Sequence, residues 1–324
     1  MEPLLQVKNL STEFKTPNGP VRPIEDVSFS VNQGEMLGVV GESGCGKSVT
    51  SLSIMRLLPR RVGRIVQGEV LYNGRDLTKL SEDQMRRIRG GELSMIFQDP
   101  MTSLNPVFRV GDQMIEVQRI HNKISKKAAW AKGIELLKSV GISRPEMIMK
   151  DYPHQLSGGM LQRVMIAMGL SCEPKMLIAD EPTTALDVTI QAQILELMKE
   201  MQRTHGTAIL LITHSLGVVA QVCDKVAVMY AGQVVELGDV VTIFDRPAHP
   251  YTRGLMNCIP MPNETRERLD VIEGVVPTPS EMPKGCRFAS RCKECSERCL
   301  NEAPQLREWE NGHFSRCLKY QKEA

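Results

Sequence analysis

Gly41-Glu42-Ser43-Gly44-Cys45-Gly46-Lys47-Ser48 has the residue types and spacing to grip a chain of phosphates. Its glycines let backbone N–H groups approach phosphate oxygens with no Cβ in the way. Lys47 adds a point charge for the β- and γ-phosphates, and the Ser48 hydroxyl is a ligand for Mg²⁺. The candidate contacts are Gly41, Ser43, Gly44, Cys45, Gly46, Lys47 and Ser48, with Val49 next on the helix that follows. Alone, the pattern implies only that a nucleoside triphosphate is bound. Leu156-Ser157-Gly158-Gly159-Met160 adds a second anion site, because Ser157, Gly158 and Gly159 open a helix whose exposed amides can hold a phosphate from another molecule.

Two acids stand where a reaction would need them. Asp180-Glu181 follows the apolar run Met176-Leu177-Ile178-Ala179. A carboxylate such as Asp180 at the end of a buried strand can hold Mg²⁺, often through water. Glu181 can then point at the attacking water as general base. Two solvated acids at a strand end are the plainer alternative. Gln98 and His214 also end apolar runs, Met95-Ile96-Phe97 and 208–213. Polar residues at the carboxyl ends of strands sit where open α/β sheets bind ligands. Cys45, beside Lys47 and a helix N-terminus, could have a lowered pKa and act in redox control; a neutral filler is the simpler reading.

The surrounding pattern supplies elements to position these groups. Residues 26–32 alternate polar and apolar, Met36–Val40 is a short apolar run into the glycine-rich loop, and 48–58 reads as a helix stopped before Pro59. Runs at 176–179 and 208–213 fit buried parallel strands, joined by a helix over 188–203 with Ile190, Ile194, Leu197 and Met201 on one face. Residues 106–170 carry Ile115, Ile134, Leu137 and Val140 at helical spacing and no strand signal, so a helical insertion is expected there. The segment 226–236 reads as a hairpin turning near Ala231-Gly232. Beyond about Leu255 the chain turns to proline, charge and cysteine, with Pro260, Pro262, Pro277, Pro279 and Pro283 implying a loop-rich appendage.

Composition narrows the class. Across 324 residues the net charge is +2, which gives no broad electrostatic footprint for nucleic acid. The N-terminus lacks the regions of a signal peptide, and no apolar run approaches the roughly 20 residues of a bilayer span. Any membrane role would therefore come through partners. Of nine cysteines, Cys286, Cys292, Cys295, Cys299 and Cys317 crowd the tail. Without a secretion signal, metal binding is a better expectation for them than disulfides.

Taken together, these motifs resemble the ABC ATPase family over 4–245. Its landmarks occur in order: Walker A at 41–48, the Q-loop residue Gln98, the signature at 156–160, and Walker B at 176–180. The catalytic glutamate matches Glu181, the D-loop aspartate Asp187 in Ala185-Leu186-Asp187, and the switch histidine His214. The resemblance implies ATP sandwiched between Walker A of one subunit and the signature of another, with Mg²⁺ held by Ser48, Gln98 and Asp180. It also implies an α/β P-loop NTPase with a helical subdomain at about 106–170, an N-terminal antiparallel β region and a small Cys-rich C-terminal extension. The division expected is 1–258 for the nucleotide-binding domain and 259–324 for the extension. Phe14 matches the aromatic that stacks on adenine, although an apolar strand residue would look the same. Met160 stands where the family usually has Gln, past the residues that contact phosphate.

The tail is more specific. Arg246-Pro247-Ala248-His249-Pro250-Tyr251-Thr252-Arg253-Gly254-Leu255 and Pro283-Lys284-Gly285-Cys286-Arg287-Phe288 resemble the C-terminal extension of oligopeptide/dipeptide importer ATPases, a group with nickel and glutathione relatives. That likeness implies a heterodimer with a related ATPase, two membrane permease subunits, an external substrate-binding protein, and a place at the cytoplasmic face of the membrane. Cys286, Cys292, Cys299 and Cys317 are similar to the group's [4Fe–4S] ligands, with Cys295 spare; four thiolates also suit Zn²⁺. A non-transport ABC ATPase with a nucleic-acid-binding tail is the remote alternative. The tail's mixed charge and few aromatics argue against it.

Overall fold

A computed structural model of the chain describes residues 2–184, 186–258 and 271–321. Ala185, Pro260 and Pro262, and the expected boundary after 258, lie outside or at the edge of the described residues. The first elements in chain order are β1 (Leu5–Thr16), β2 (Gly19–Val31), β3 (Met36–Val40), α1 (Lys47–Ile54), β4 (Gly63–Tyr72), β5 (Arg75–Asp76), α2 (Glu82–Ile88) and β6 (Leu93–Ile96). Helices α3 (Pro100–Ser103), α4 (Val110–Asn122), α5 (Lys126–Ser139), α6 (Pro145–Ile148) and α7 (Gly158–Leu170) follow. Then come β7 (Met176–Asp180), α8 (Val188–His205), β8 (Ala208–Ile212), α9 (Leu216–Val222), β9 (Lys225–Tyr230) and β10 (Gln233–Asp239). The last are α10 (Val240–Asp245), α11 (Pro250–Asn257), α12 (Glu297–Asn301), β11 (Arg307–Glu310) and β12 (His313–Ser315).

The described residues form two compact units, one from 2–30, 37–78 and 213–321, the other from 31–36 and 79–212. In the first, β2-β1-β4-β5 make an antiparallel sheet, the expected N-terminal β region. Beside it, strands run in the order β11-β12-β10-β9-β3, with β3 parallel to β9 and the others antiparallel. Between β9 and β10 the two-residue turn is Ala231-Gly232, at φ 45° and 82°, which matches the twist of the flanking strands. In the second unit β8-β7-β6 pair in parallel, and every residue of the three strands is buried. Burial of a parallel sheet on both faces explains why these strands read as continuous apolar runs. Helices α3 to α7 fill the expected helical insertion, beginning slightly earlier, at Pro100.

Three expectations need correction. Helix α1 ends at Ile54, short of Leu58, because Arg56 adopts φ 52° and the Leu57 N–H returns to Leu52 O at 2.8 Å while the Arg56 N–H returns to Ser53 O at 3.0 Å. That pattern is a left-handed helix stop normally made by glycine. On α8 the buried face is Ile194, Leu195, Met198 and Met201, whereas Ile190 and Leu197 sit at its rim. Nor is the tail a separate appendage: β12 pairs with β10 (Glu236↔Ser315, Leu237↔Phe314), so it extends the sheet that carries β3. A buried acid locks this join, since Glu236 accepts from the N–H groups of Ala248 (2.6 Å) and His249 (2.8 Å) and pairs with His313 Nε2 at 2.7 Å.

Candidate functional site

The phosphate loop leaves β3 and enters α1, and its shape is imposed by packing as well as by composition. Gly41 has φ 153°, and a Cβ there would lie 2.1 Å from Met229 O on β9, so no other residue fits. Lys47, 6% exposed, donates from Nζ to Gly41 O at 2.8 Å and Glu42 O at 3.1 Å. Ser43 and Gly44 form the exposed rim of the loop, and the Ser48 side chain is half-buried behind them. Cys45 is fully buried, and that burial pushes its thiol pKa up despite the Lys47 charge. That direction runs against the lowered pKa expected beside Lys47 and accords with a filler position for Cys45. On β1, Phe14 pairs in register with Gly63 and lies half-buried against it, leaving part of its ring open. In the same unit His214 is exposed after β8, ahead of α9, whose cap is Ser215 accepting from the Val218 N–H at 3.3 Å.

The second unit brings Gln98 and Glu181 together. Glu181 follows buried Asp180 at the end of β7 and sits at φ 47°, a strained backbone held by its N–H bond to Ile212 O at 2.9 Å. Its Oε2 accepts from Thr184 Oγ1 at 3.2 Å, and Gln98 Nε2 lies at 3.4 Å. The Gln162 side chain, buried on α7, donates to Pro182 O at 2.7 Å and ties the signature helix to the segment after Glu181. Ser157 caps α7 by accepting from the Met160 N–H at 3.3 Å, and a Cβ on Gly158 would meet nothing within 4 Å. Asp187 caps α8 through the Ile190 N–H at 3.0 Å and lies 3.9 Å from Arg163 of the signature helix.

Sequence reasoning assigned no role to Thr184, Gln162 or Arg163. A Thr three residues after the acid is an ordinary turn signal, and Gln162 and Arg163 are polar positions on a helix with no local pattern that marks a role. In the tail, Cys286, Cys292, Cys299 and Cys317 line one cavity of about 380 Å³ with Phe288, and Cys295 lies outside it on the surface. Close packing joins two of them: the Cys286 N–H donates to Cys299 O at 2.8 Å, and a Cβ on Gly285 would lie 2.2 Å from that same oxygen. Burial pushes the Cys286 thiol up to about 11 and raises Cys292 and Cys317 as well. Among the described residues, however, no group of three or more His, Cys, Asp or Glu side chains is arranged to hold a metal ion. The four thiols share a cavity, but the expected metal-ligand shell is not assembled among the described residues. No helix among the described residues is long and apolar enough to cross a membrane.

The phosphate loop between β3 and α1, the capped signature helix and the acid after β7 define an ATP-binding cassette of the ABC transporter class, and comparison with known proteins agrees. The ABC transporter family model matches 24–184, and the model for the oligopeptide/dipeptide transporter C-terminal region matches 235–299. An oligopeptide transport ATP-binding protein of Bacillus subtilis, AppD, is 52% identical over 100% of this chain and 99% of its own. The dipeptide transport ATP-binding protein DppD of the same organism is 54% identical over 90% of this chain and 87% of its own. A solved dimer of the ATP-binding cassette MJ0796, bound to ADP and Pi after hydrolysis, aligns with TM-score 0.67 and 25% identity over 73% of this chain and 98% of that one. The chain belongs to the oligopeptide/dipeptide transporter family of ABC ATP-binding proteins, which are ATPases.

Proposed function

We propose that this chain is the ATP-hydrolysing motor subunit of an importer for di- and oligopeptides. The observation that carries this reading is a complete ABC ATPase motif set joined to a peptide-transporter tail, in a chain aligned end to end with AppD. In this reading the loop amides and Lys47 bind the β- and γ-phosphates of ATP, and Phe14 stacks on adenine. Ser48, Gln98 and Asp180 supply the hard oxygen donors that suit Mg²⁺, which would neutralise phosphate charge. Glu181, steadied by Thr184 and Gln98, orients and deprotonates the attacking water, and His214 contacts the γ-phosphate end.

The site is shared between subunits. Open space at Gly158 supports the close approach of a partner's nucleotide to the signature, with Ser157 and Gly159 beside it and Asp187 at the dimer contact. The MJ0796 cassette is itself a dimer. The partner proposed here is a related ATPase, giving a heterodimer at the cytoplasmic face of the membrane, beneath two permease subunits served by an external peptide-binding protein. Met101, Val107 and Phe108 are exposed, and Phe108 and Ile120 line an open groove of about 880 Å³ along α4 with Asp112, Glu116, Arg119 and Lys123, a mixed apolar and charged surface offered to a permease segment. ATP-driven uptake of a short peptide by the assembled importer is the expected result. Uptake of nickel or glutathione with peptide excluded would reassign the cargo.

The tail thiols Cys286, Cys292, Cys299 and Cys317 are proposed to hold a [4Fe–4S] cluster. What supports a shared ligand role is that the four thiols line one cavity; four thiolates suit Zn²⁺ as well as the cluster. Bound there, the cluster would staple four segments of a small tail. Anaerobic purification is expected to yield about four irons and four sulfides per chain. One zinc in a colourless protein would overturn the cluster and leave the ATPase reading intact.

A further inference from the structure

The phosphate loop is gripped from outside by residues that no nucleotide-binding motif includes. Arg291, with its side chain 5% exposed, donates from one guanidinium nitrogen to both Glu42 carboxylate oxygens, at 3.2 and 3.1 Å. Its other nitrogens are spent on Glu273 O (2.9 Å) and Ile272 O (3.0 Å), and the guanidinium lies 5.7 Å from the centre of the Tyr230 ring. The Glu42 N–H donates to the hydroxyl of Tyr251 at 3.0 Å. Tyr251 is fully buried on α11, against Tyr230 (ring centres 4.6 Å apart) and Phe288 (5.5 Å). A second route reaches the loop through the β9–β10 turn: Arg287 donates to Ala231 O, and the Gly232 N–H donates to Cys45 O at 2.9 Å.

Glu42 is a carboxylate inside a loop whose task is to bind several negative charges. Left uncompensated, it repels the triphosphate, and the flexible backbone around it is free to leave the anion-cradling shape. We infer that Arg291 and Tyr251 are positioning residues for ATP: Arg291 neutralises Glu42 and holds its side chain, while Tyr251 holds its backbone. This rests on the phosphate loop binding ATP as proposed above. Neither residue touches the reacting atoms, so the effect falls on affinity and not on the chemical step.

The test uses the full-length chain in the assembled importer, with MgATP as the probe. Arg291→Gln is expected to raise both Kd and KM for MgATP about tenfold, from loss of a charge-assisted pair on a partly exposed acid, with kcat within about twofold. Adding Glu42→Gln to Arg291→Gln is expected to recover most of the lost affinity, because the uncompensated charge is then gone; a role limited to holding the tail together predicts no recovery. Tyr251→Phe, which removes only the hydroxyl, is expected to raise Kd about threefold and decides the matter if Arg291→Gln does not fold. Wild-type affinity in these variants, or no recovery in the double variant, overturns the inference. Lys47→Ala run alongside separates the two levels. If it loses ATP while Arg291→Gln and Tyr251→Phe do not, only the positioning role fails; if it too binds normally, the phosphate-loop reading falls and takes the inference with it.

Discussion

Glu181→Gln is expected to leave MgATP binding nearly intact and to lower kcat in the assembled importer by about 10²–10⁴-fold, the usual worth of a positioned general base. The substitution keeps shape and hydrogen-bonding reach, so the contacts at 3.2 Å to Thr184 and 3.4 Å to Gln98 can persist. Only the capacity to take a proton from water is lost. The strained φ of 47° argues for a role beyond that of a surface acid. Such a conformation costs of order 1–3 kcal/mol and survives where the surroundings enforce it, here through the bond to Ile212 O. Single-turnover hydrolysis together with equilibrium ATP binding makes the check. Near-normal hydrolysis would sink the general-base role, and loss of binding would make Glu181 a ligand-holding residue instead.

Lys47→Ala is the second large effect, and it acts one step earlier. Lys47 is buried, and its Nζ is already oriented by Gly41 O and Glu42 O across the mouth of the loop. Charge-assisted hydrogen bonds to phosphate oxygens are worth about 1.5–3 kcal/mol each, so losing two corresponds to roughly 10²–10⁴-fold in MgATP Kd. ATP-driven uptake is expected to vanish with it. Binding within a few-fold of wild type would show that the loop does not bind ATP through this lysine. The two substitutions have opposite signatures, one sparing affinity and losing turnover, the other losing both.

Much of this site was legible because its signals are local. The spacing of Gly41, Gly44, Gly46 and Lys47, the caps at Ser157 and Asp187, and the acid after β7 each depend on near neighbours in the chain. Strands β3, β7 and β8 were legible for the same reason, since burial on both faces leaves an unbroken apolar run. The early end of α1 was hidden because Arg56 takes a conformation that glycine usually marks, and its guanidinium is engaged by Leu77 O at 3.1 Å. The buried face of α8 was displaced because several rows of apolar side chains fit a helical period, and only the neighbouring elements choose among them.

The tail shows where local signals stop. Its cysteines and prolines announced a distinct segment, yet nothing in their order said that β12 would pair with β10. Arg291 meets Glu42 across 249 positions of sequence, and Arg316 meets Asp26 across 290. Local order in the chain marked the candidates for chemistry: the phosphate-binding loop, the signature helix, the acid proposed for water and the four tail thiols. Tertiary structure alone decided that the tail would extend the sheet behind the phosphate loop and neutralise a charge within it. Pairing between distant strands and distant charges leaves no periodicity in the chain, so only the folded backbone can select the partners.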